Sequence, residues 1–288
     1  MPNNQLYRNQ LEKPIESCKV SKEDLRDLCL ILRKKNNRAA ELEVQNFKKL
    51  NQSDEEFKQN KEVLRNSFDL NITIKGKNGE ELLGKIEDVF DSPNFPNKVE
   101  SLYLNSATTL ETIQNYHPRN KFDLLLIFTK PSIFDFSIQP SDPTPNYNKF
   151  NVEGYDTTWV NGVYREVEKF FDEHSSSFNL IHQQSVYDLF IWVLGIPFCF
   201  WFISKLSNTI DSIFSNFDNF VNIAVYIYAF FFSLIGLRIL FHYARWIWPL
   251  IEYKNGKAKE NKHRSTIFLI FVAIIGAVVY DMIKNLLL

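Results

Sequence analysis

The stretch Phe220–Phe241, FVNIAVYIYAFFFSLIGLRILF, holds a single charged side chain, Arg238, close to its end. An α-helix needs about 20 apolar residues to cross the hydrocarbon core of a bilayer, so this stretch reads as a membrane span. Two more of the same kind flank it, Tyr187–Leu206 before and Thr266–Leu286 after. Residues 187–286 are therefore expected to form a three-helix transmembrane bundle, and what precedes them an aqueous head. In the first span the unbroken apolar run covers only 189–203 and contains Gly195 and Pro197. A kinked or re-entrant piece is the alternative there.

The loops between the spans indicate orientation, because Lys and Arg accumulate on the cytoplasmic side. Between the first two spans stand Lys205, Asp211 and Asp218. From Arg238 to Arg264 stand seven basic residues, among them Lys254, Lys257, Lys259 and Lys262, against Glu252 and Glu260. The second loop is thus expected in the cytoplasm. With three crossings the head shares that side, and residues 285–288 lie on the far side of a plasma (inner) membrane. The first thirty residues carry no apolar core of the kind a secretory signal needs, which agrees. Tyr243, Trp246 and Trp248, with Lys254 and Lys257, form the expected membrane-interface set, since aromatic rings and lysines favour the head-group level.

The head, residues 1–180, carries 24 basic and 28 acidic side chains in mixed order, a net of -4. Such a surface offers no broad field to a phosphate backbone, so nucleic acid is not an expected partner. The basic cluster Arg33, Lys34, Lys35 and Arg38 reads as a solvated helix face. Cys18, Cys29 and Cys199 lie far apart and form no C-x-x-C pair, so neither disulfides nor zinc are expected.

Within the head the pattern is α+β: an N-terminal helical hairpin, a small, mostly antiparallel sheet and a C-terminal amphipathic helix. Residues 1–20 read as a flexible N-terminus, 21–68 as helical and 69–174 as sheet plus helix. Ser21 opens the first helix as a cap with acids in its first turn. Leu25, Leu28 and Leu32 form its stripe, Asn36-Asn37 a polar break, and Leu42, Phe47 and Leu50 its continuation. Ser53-Asp54-Glu55-Glu56 is a capping box. From Asp69 the period changes to two, and Lys77-Asn78-Gly79-Glu80 supplies a hairpin turn. Further strands are expected at Val99–Leu104, Lys121–Thr129 and Phe150–Tyr155. The second of these is apolar at nearly every position, as a central strand buried on both faces would be. Four prolines make residues 131–148 an irregular loop. Asp156-Thr157-Thr158 caps the last helix, whose face holds Val160, Val163, Tyr164, Val167, Phe170 and Phe171.

No phosphate-loop, dinucleotide or nucleophile-elbow motif is present in the sequence. The acidic groups Glu80-Glu81 and Glu87-Asp88-Asp91 lack the spacing of a calcium loop. No cofactor, metal site or catalytic residue is expected. The site-like features are two: the polar stretch Tyr116-His117-Pro118-Arg119-Asn120, which either presents groups at a strand edge or is a turn in contact with water, and Gly154–Gly162 with its capped helix start at Asp156, Thr157 and Thr158, whose free N–H groups favour an anion. Arg119, Asp156, Thr157 and Thr158 are the candidate ligand-binding residues.

Three function classes remain. The first is a non-enzymatic membrane protein whose cytosolic head binds a protein partner or small ligand and whose bundle anchors or responds to it. The second is a self-assembling, membrane-disrupting or pore-forming effector gated by the head, such as those of bacterial defence. Small residues four apart, Gly195/Cys199, Ala229/Ser233 and Ala273/Ala277, let helix backbones approach closely, within one bundle first and between copies as the alternative. The third is an enzyme acting on a lipid-linked substrate, for which Glu173, His174, His182 and Asp188 are the only visible candidates.

Overall fold

The computed structural model describes residues 7–49, 51–134, 142–254 and 259–287. The chain divides into two compact units: residues 1–129, 146–177 and 250–255 in the first, and residues 130–145, 178–249 and 256–288 in the second.

The first unit is the α+β head. Its elements are β1 (Asn9–Pro14), β2 (Cys18–Val20), α1 (Lys22–Asn46), α2 (Asp54–Asn66), β3 (Asn71–Gly76), β4 (Glu81–Lys85), α3 (Ile86–Phe90), β5 (Val99–Asn105), α4 (Thr108–Ile113), β6 (Asn120–Ile127), β7 (Lys149–Gly154), α5 (Thr157–Glu173) and β8 (Ile251–Tyr253). Six strands form one sheet in the order β1-β7-β6-β5-β3-β4, with every neighbouring pair antiparallel. The period-two residues make this sheet one-sided. Ile72, Ile74, Leu102, Leu104, Phe122, Leu124, Leu126, Phe150 and Val152 are buried. The apolar stripes of α1 and α5, with α3, close over them in a single core. The β3–β4 hairpin turns at Gly79, whose φ of +88° an L side chain rarely adopts.

Four expectations change. Asp123, Leu125 and Ile127 of β6 are only half-buried, so this inner strand is covered on one face, not two. Its apolar run reflects cross-strand contact on the open face, where Leu125 stands opposite Tyr103. Helix α1 runs unbroken through Asn36-Asn37, because Asn36 is buried and donates from Nδ2 to the Phe68 carbonyl at 2.7 Å. Its later stripe is rephased onto Ala39, Ala40, Glu43 and Val44, with Leu42 and Phe47 half-buried, while Leu50 lies outside the described residues. The N-terminus is not wholly flexible: β1 pairs along its whole length with β7. The strand β2 pairs in parallel with β8, Cys18 opposite Ile251, Lys19 opposite Glu252 and Val20 opposite Tyr253. Both lack an alternating apolar signal because β1 is a charged edge strand and β2 only three residues long. In the proline-rich loop, 131–134 and 142–148 are irregular, and residues 135–141 lie outside the described set.

Among the described residues, the second unit contains three helices long and apolar enough to cross a membrane, which fits a membrane protein with a membrane-embedded C-terminal region. The first is continuous from Gln184 to Phe214 over 31 residues: α6 (Gln184–Phe190), a π-turn at Ile191–Gly195 and α7 (Ile196–Phe214). The π-turn is the helix's answer to Pro197. Proline lacks an N–H and its ring crowds the carbonyl four residues back. Widening the preceding turn, with the Ile196 N–H bonded to the Ile191 carbonyl, absorbs it without ending the helix. The others are α8 (Asn219–Ile247) and α9 (Lys259–Leu287).

α7 and α8 pack through small residues. A Cβ on the buried Gly195 would sit 3.4 Å from Ile191 Cδ1 and 3.8 Å from Leu237 Cδ1. The buried Cys199 thiol meets the Ser233 hydroxyl. Toward the C-terminal end of α9, Asp281 takes an ion pair from Lys205 at 2.6 Å and a hydrogen bond from Trp201 Nε1 at 3.0 Å.

Candidate functional sites

The head carries a groove of about 440 Å³ lined by Arg8, His117, Pro118, Arg119, Lys121 and Tyr155. Its residues come from the start of β1, the segment leading into β6 and the turn between β7 and α5. Two buried polar side chains hold its walls. Glu43, 2% exposed on α1, accepts from the Tyr116 hydroxyl at 2.7 Å and from the Arg119 backbone N–H. A buried carboxylate is costly unless hydrogen-bonded, and these two donors offset that cost while fixing 116–119 in place. Burial, with Glu43 beside it, pushes the Tyr116 phenol well above its usual range, so it remains a donor.

Asn120 holds the opposite wall. Its Oδ1 accepts from the backbone N–H groups of Tyr155 at 3.1 Å and Asp156 at 3.2 Å. That oxygen occupies the space a side chain at 154 would need, because a Cβ on Gly154 would come within 2.2 Å of it. Glycine there is a steric requirement.

Charge in the groove is unevenly committed. Arg8 pairs with Glu153. Lys121 Nζ lies 2.9 Å from Glu111 and 3.6 Å from Glu153, and His117 Nδ1 lies 3.4 Å from Glu111. Donation by Lys121 holds Glu111 below the usual carboxylate range, so that pair stays charged. The Arg119 guanidinium has no carboxylate partner among the described residues.

The candidate residues divide accordingly. Arg119 lines the groove, whereas the other three serve the neighbouring helix start. Asp156 caps α5, accepting from the Trp159 N–H at 2.9 Å, and Thr157 Oγ1 accepts from Asn9 Nδ2 at 2.8 Å. Thr158 is exposed and outside the groove lining. The helix start at 156–158 is thus already occupied by its own cap. Sequence reasoning had Asn120 in the polar stretch and Tyr155 beside the helix start, but did not reach Arg8, Lys121 or Glu43. No local pattern joins them, although Glu43 at a buried phase of α1 was open to suspicion.

The aromatic set gathers in the second unit. Tyr243 and Trp246 stack at 6.0 Å, the Tyr243 hydroxyl lies 2.7 Å from His263 Nδ1, and Lys130 Nζ stands 4.5 Å over the Trp246 ring. Trp248 stacks on Phe178 at 5.0 Å. Lys254 belongs to the head, where its N–H bonds to the Val20 carbonyl at 2.7 Å. Lys257 lies outside the described residues.

The same end of α8 holds a buried clamp. Arg245, 1% exposed, donates to the carbonyls of Ile181 at 2.8 Å, Asp142 at 3.1 Å and Gln183 at 3.4 Å. Beside it, His182 bonds to the Trp248 carbonyl through Nε2 at 2.6 Å and to Thr144 through Nδ1 at 2.8 Å. A carbonyl only accepts, so Nε2 carries the proton and Nδ1 receives the threonine hydroxyl. Burial, against the opposing pull of the Trp248 carbonyl and with Arg245 adding to it, pushes the imidazole down to about 4.

His182 is therefore spent on holding backbone. Of the other residues considered for lipid-directed chemistry, Glu173 and His174 belong to the head and Asp188 to the second unit. His174 lies 3.4 Å from Asp24, and Glu173 pairs with Lys169. The basic cluster on α1 is largely paired as well, Arg33 with Glu87, Lys35 with Glu166 and Arg38 with Glu41. Cys18 and Cys29 are buried free thiols pushed up to about 12 by burial. Among the described residues no group of three or more His, Cys, Asp or Glu side chains is arranged to hold a metal ion. No protein-family model, curated protein or solved structure matches the chain.

Proposed function

We propose that the chain is a non-enzymatic, multi-pass membrane protein whose cytoplasmic head binds a ligand or partner and transmits its state to the bundle. The observation that carries this reading is the β2–β8 pair. Strand β8 follows the second apolar helix in sequence yet belongs to the head's own fold. Two chain segments separated by two apolar helices share one unit only if both helices cross, or neither does. A single crossing would put β2 and β8 on opposite sides. The continuous helix Gln184–Phe214 is long enough for the first crossing, at about 1.5 Å of rise per residue. The basic loop, by the positive-inside rule, supports a cytoplasmic head. The head is then tied to the bundle before α6, after α8 and before α9, so a change in it pulls on all three helices.

The test is a paired cysteine experiment in intact membranes. Lys19→Cys with Glu252→Cys places thiols at register partners, and oxidation should join them. On intact cells a membrane-impermeant thiol reagent should reach Asn285→Cys, but Asn78→Cys in the head only after permeabilisation. Labelling of the head from outside, or no cross-link, would sink the reading.

Self-association is the second reading, and the poor burial of α9 favours it. Only 6% of its span is buried within one chain, against 17% for the first helix, and a Cβ on Gly276 would meet nothing within 4 Å. Light scattering of the solubilised chain, corrected for detergent, decides it: a monomer mass removes this reading.

A further inference from the structure

We infer that the groove of Arg8, His117, Arg119, Lys121 and Tyr155 binds a phosphate group of its ligand, with Arg119 as the residue that ion-pairs with it. The inference rests on the reading of the head as the ligand-binding part of the chain, and it names the chemistry of what is bound. Of the three permanent cations that line the groove, Arg8 pairs with Glu153 and Lys121 with Glu111, whereas the Arg119 guanidinium has no carboxylate partner among the described residues. A guanidinium offers two parallel N–H bonds to an oxyanion, a geometry that matches phosphate. Lys121, His117 and Tyr155 line the same space, so residues able to donate surround the guanidinium and suit the several oxygens of a phosphate.

The site is also built in advance. Glu43 pins the Arg119 backbone and Asn120 pins the Tyr155 backbone, each from a buried position. Holding both walls before the ligand arrives removes ordering costs from binding. A groove of about 440 Å³ exceeds a bare phosphate, so the group belongs to a larger molecule. That molecule is either a free phosphorylated compound or a phospholipid head group, and the two are separable by experiment.

The full-length chain in phosphatidylcholine nanodiscs is titrated with inorganic pyrophosphate by calorimetry. A second arm measures its co-sedimentation with phosphatidylcholine vesicles with and without phosphatidic acid. Binding in the first arm identifies a free ligand, and binding confined to phosphatidic acid identifies a head group. In whichever arm binds, Arg119→Ala should weaken affinity at least tenfold, and Arg119→Lys should fall between, since one ammonium cannot bond bidentately. The Arg119 side chain is exposed, so the variant should melt with the parent. Arg119→Gln, which keeps most of the aliphatic stem and removes the charge, replaces it should Arg119→Ala melt lower. Absence of binding in both arms, or binding indifferent to Arg119, overturns the inference. The cysteine labelling does not involve Arg119, so the topology stands or falls separately.

Discussion

Two buried polar side chains, Glu43 and His182, hold backbone in place, and each yields a prediction at its own position. Glu43 is useful as an acceptor, because its oxygens satisfy the Tyr116 hydroxyl and the Arg119 N–H. Replacing it by alanine removes the acceptor from two part-buried hydrogen bonds, at about 1 kcal/mol each. Glu43→Ala should therefore lower the urea midpoint of the head far more than Tyr116→Phe, which removes one donor and leaves the bond to the Arg119 N–H in place. It should also speed amide exchange across 116–120. Equal losses in the two variants would mean that Glu43 does not hold the groove wall. His182 is useful by being neutral. Its folded value of about 4 lies below its ordinary 6.5, so between those limits the unfolded chain binds more protons than the folded one. The stabilisation is thus complete above about pH 6.5 and is lost as pH falls through the window, by up to roughly 3 kcal/mol. Melting of the solubilised chain should drop between pH 7 and pH 4.5. In His182→Gln, which keeps a donor for the Trp248 carbonyl and cannot titrate, the drop should be smaller. Parallel pH profiles for the two would rule out His182 as the titrating group.

Helix–helix contact in the second unit is decided by where a side chain has no room. Gly195 lies in contact with Ile191 and Leu237, whereas Gly276 on α9 faces open space. Gly195→Val should overpack α7 against α8 and cost about 1–3 kcal/mol, read as a lower melting temperature in detergent. Gly276→Val should leave the monomer's stability unchanged, and only in a self-associating bundle should it alter the mass. A contact-free Gly195 would show no difference between the two substitutions. These elements were legible in the sequence because a membrane span is a statement about composition over about 20 residues, which local neighbours cannot override. The period-two runs at 70–75 and 99–104 and the capped starts at Ser21, Ser53 and Asp156 were legible for a similar reason: each signal is contained in the element itself. The strands β1, β2 and β8 were not, because a strand's partner defines it. Nothing in Asn9–Pro14 or Ile251–Tyr253 announces pairing with residues more than a hundred positions away. The groove escaped for the same reason. Arg119 drew notice through its polar neighbours, while Arg8, Glu43 and Tyr155 reach it only through the fold.

At the scale of the whole chain, the head is not what precedes the first membrane helix. Residues 250–255 complete it from beyond the second, and Leu250 and Ile251 are members of its core. The Cys18 N–H bonds to the Leu250 carbonyl at 3.1 Å, and the Lys254 N–H to the Val20 carbonyl. A head cut at residue 177 therefore loses two buried aliphatic side chains, each worth about 1.5–3 kcal/mol, and leaves one edge of β2 unpaired. Set against a typical total of about 5–15 kcal/mol, that is a large fraction. The polypeptide 1–177 should unfold at a markedly lower urea concentration than the same polypeptide carrying 249–255 on a flexible Gly-Ser linker, and its β2 amides should exchange faster. Ile251→Asp in the linked version should return it to the behaviour of the shorter one, because a charge would then face the core without a partner. If 1–177 alone proves as stable as the linked form, β8 is a passenger on the head, and the mechanical tie between head and bundle after α8 must be abandoned. If the linked form is rescued and Ile251→Asp undoes the rescue, the short strand is the point at which the membrane helices hold the head, and ligand binding has a physical route from the sheet to the bilayer.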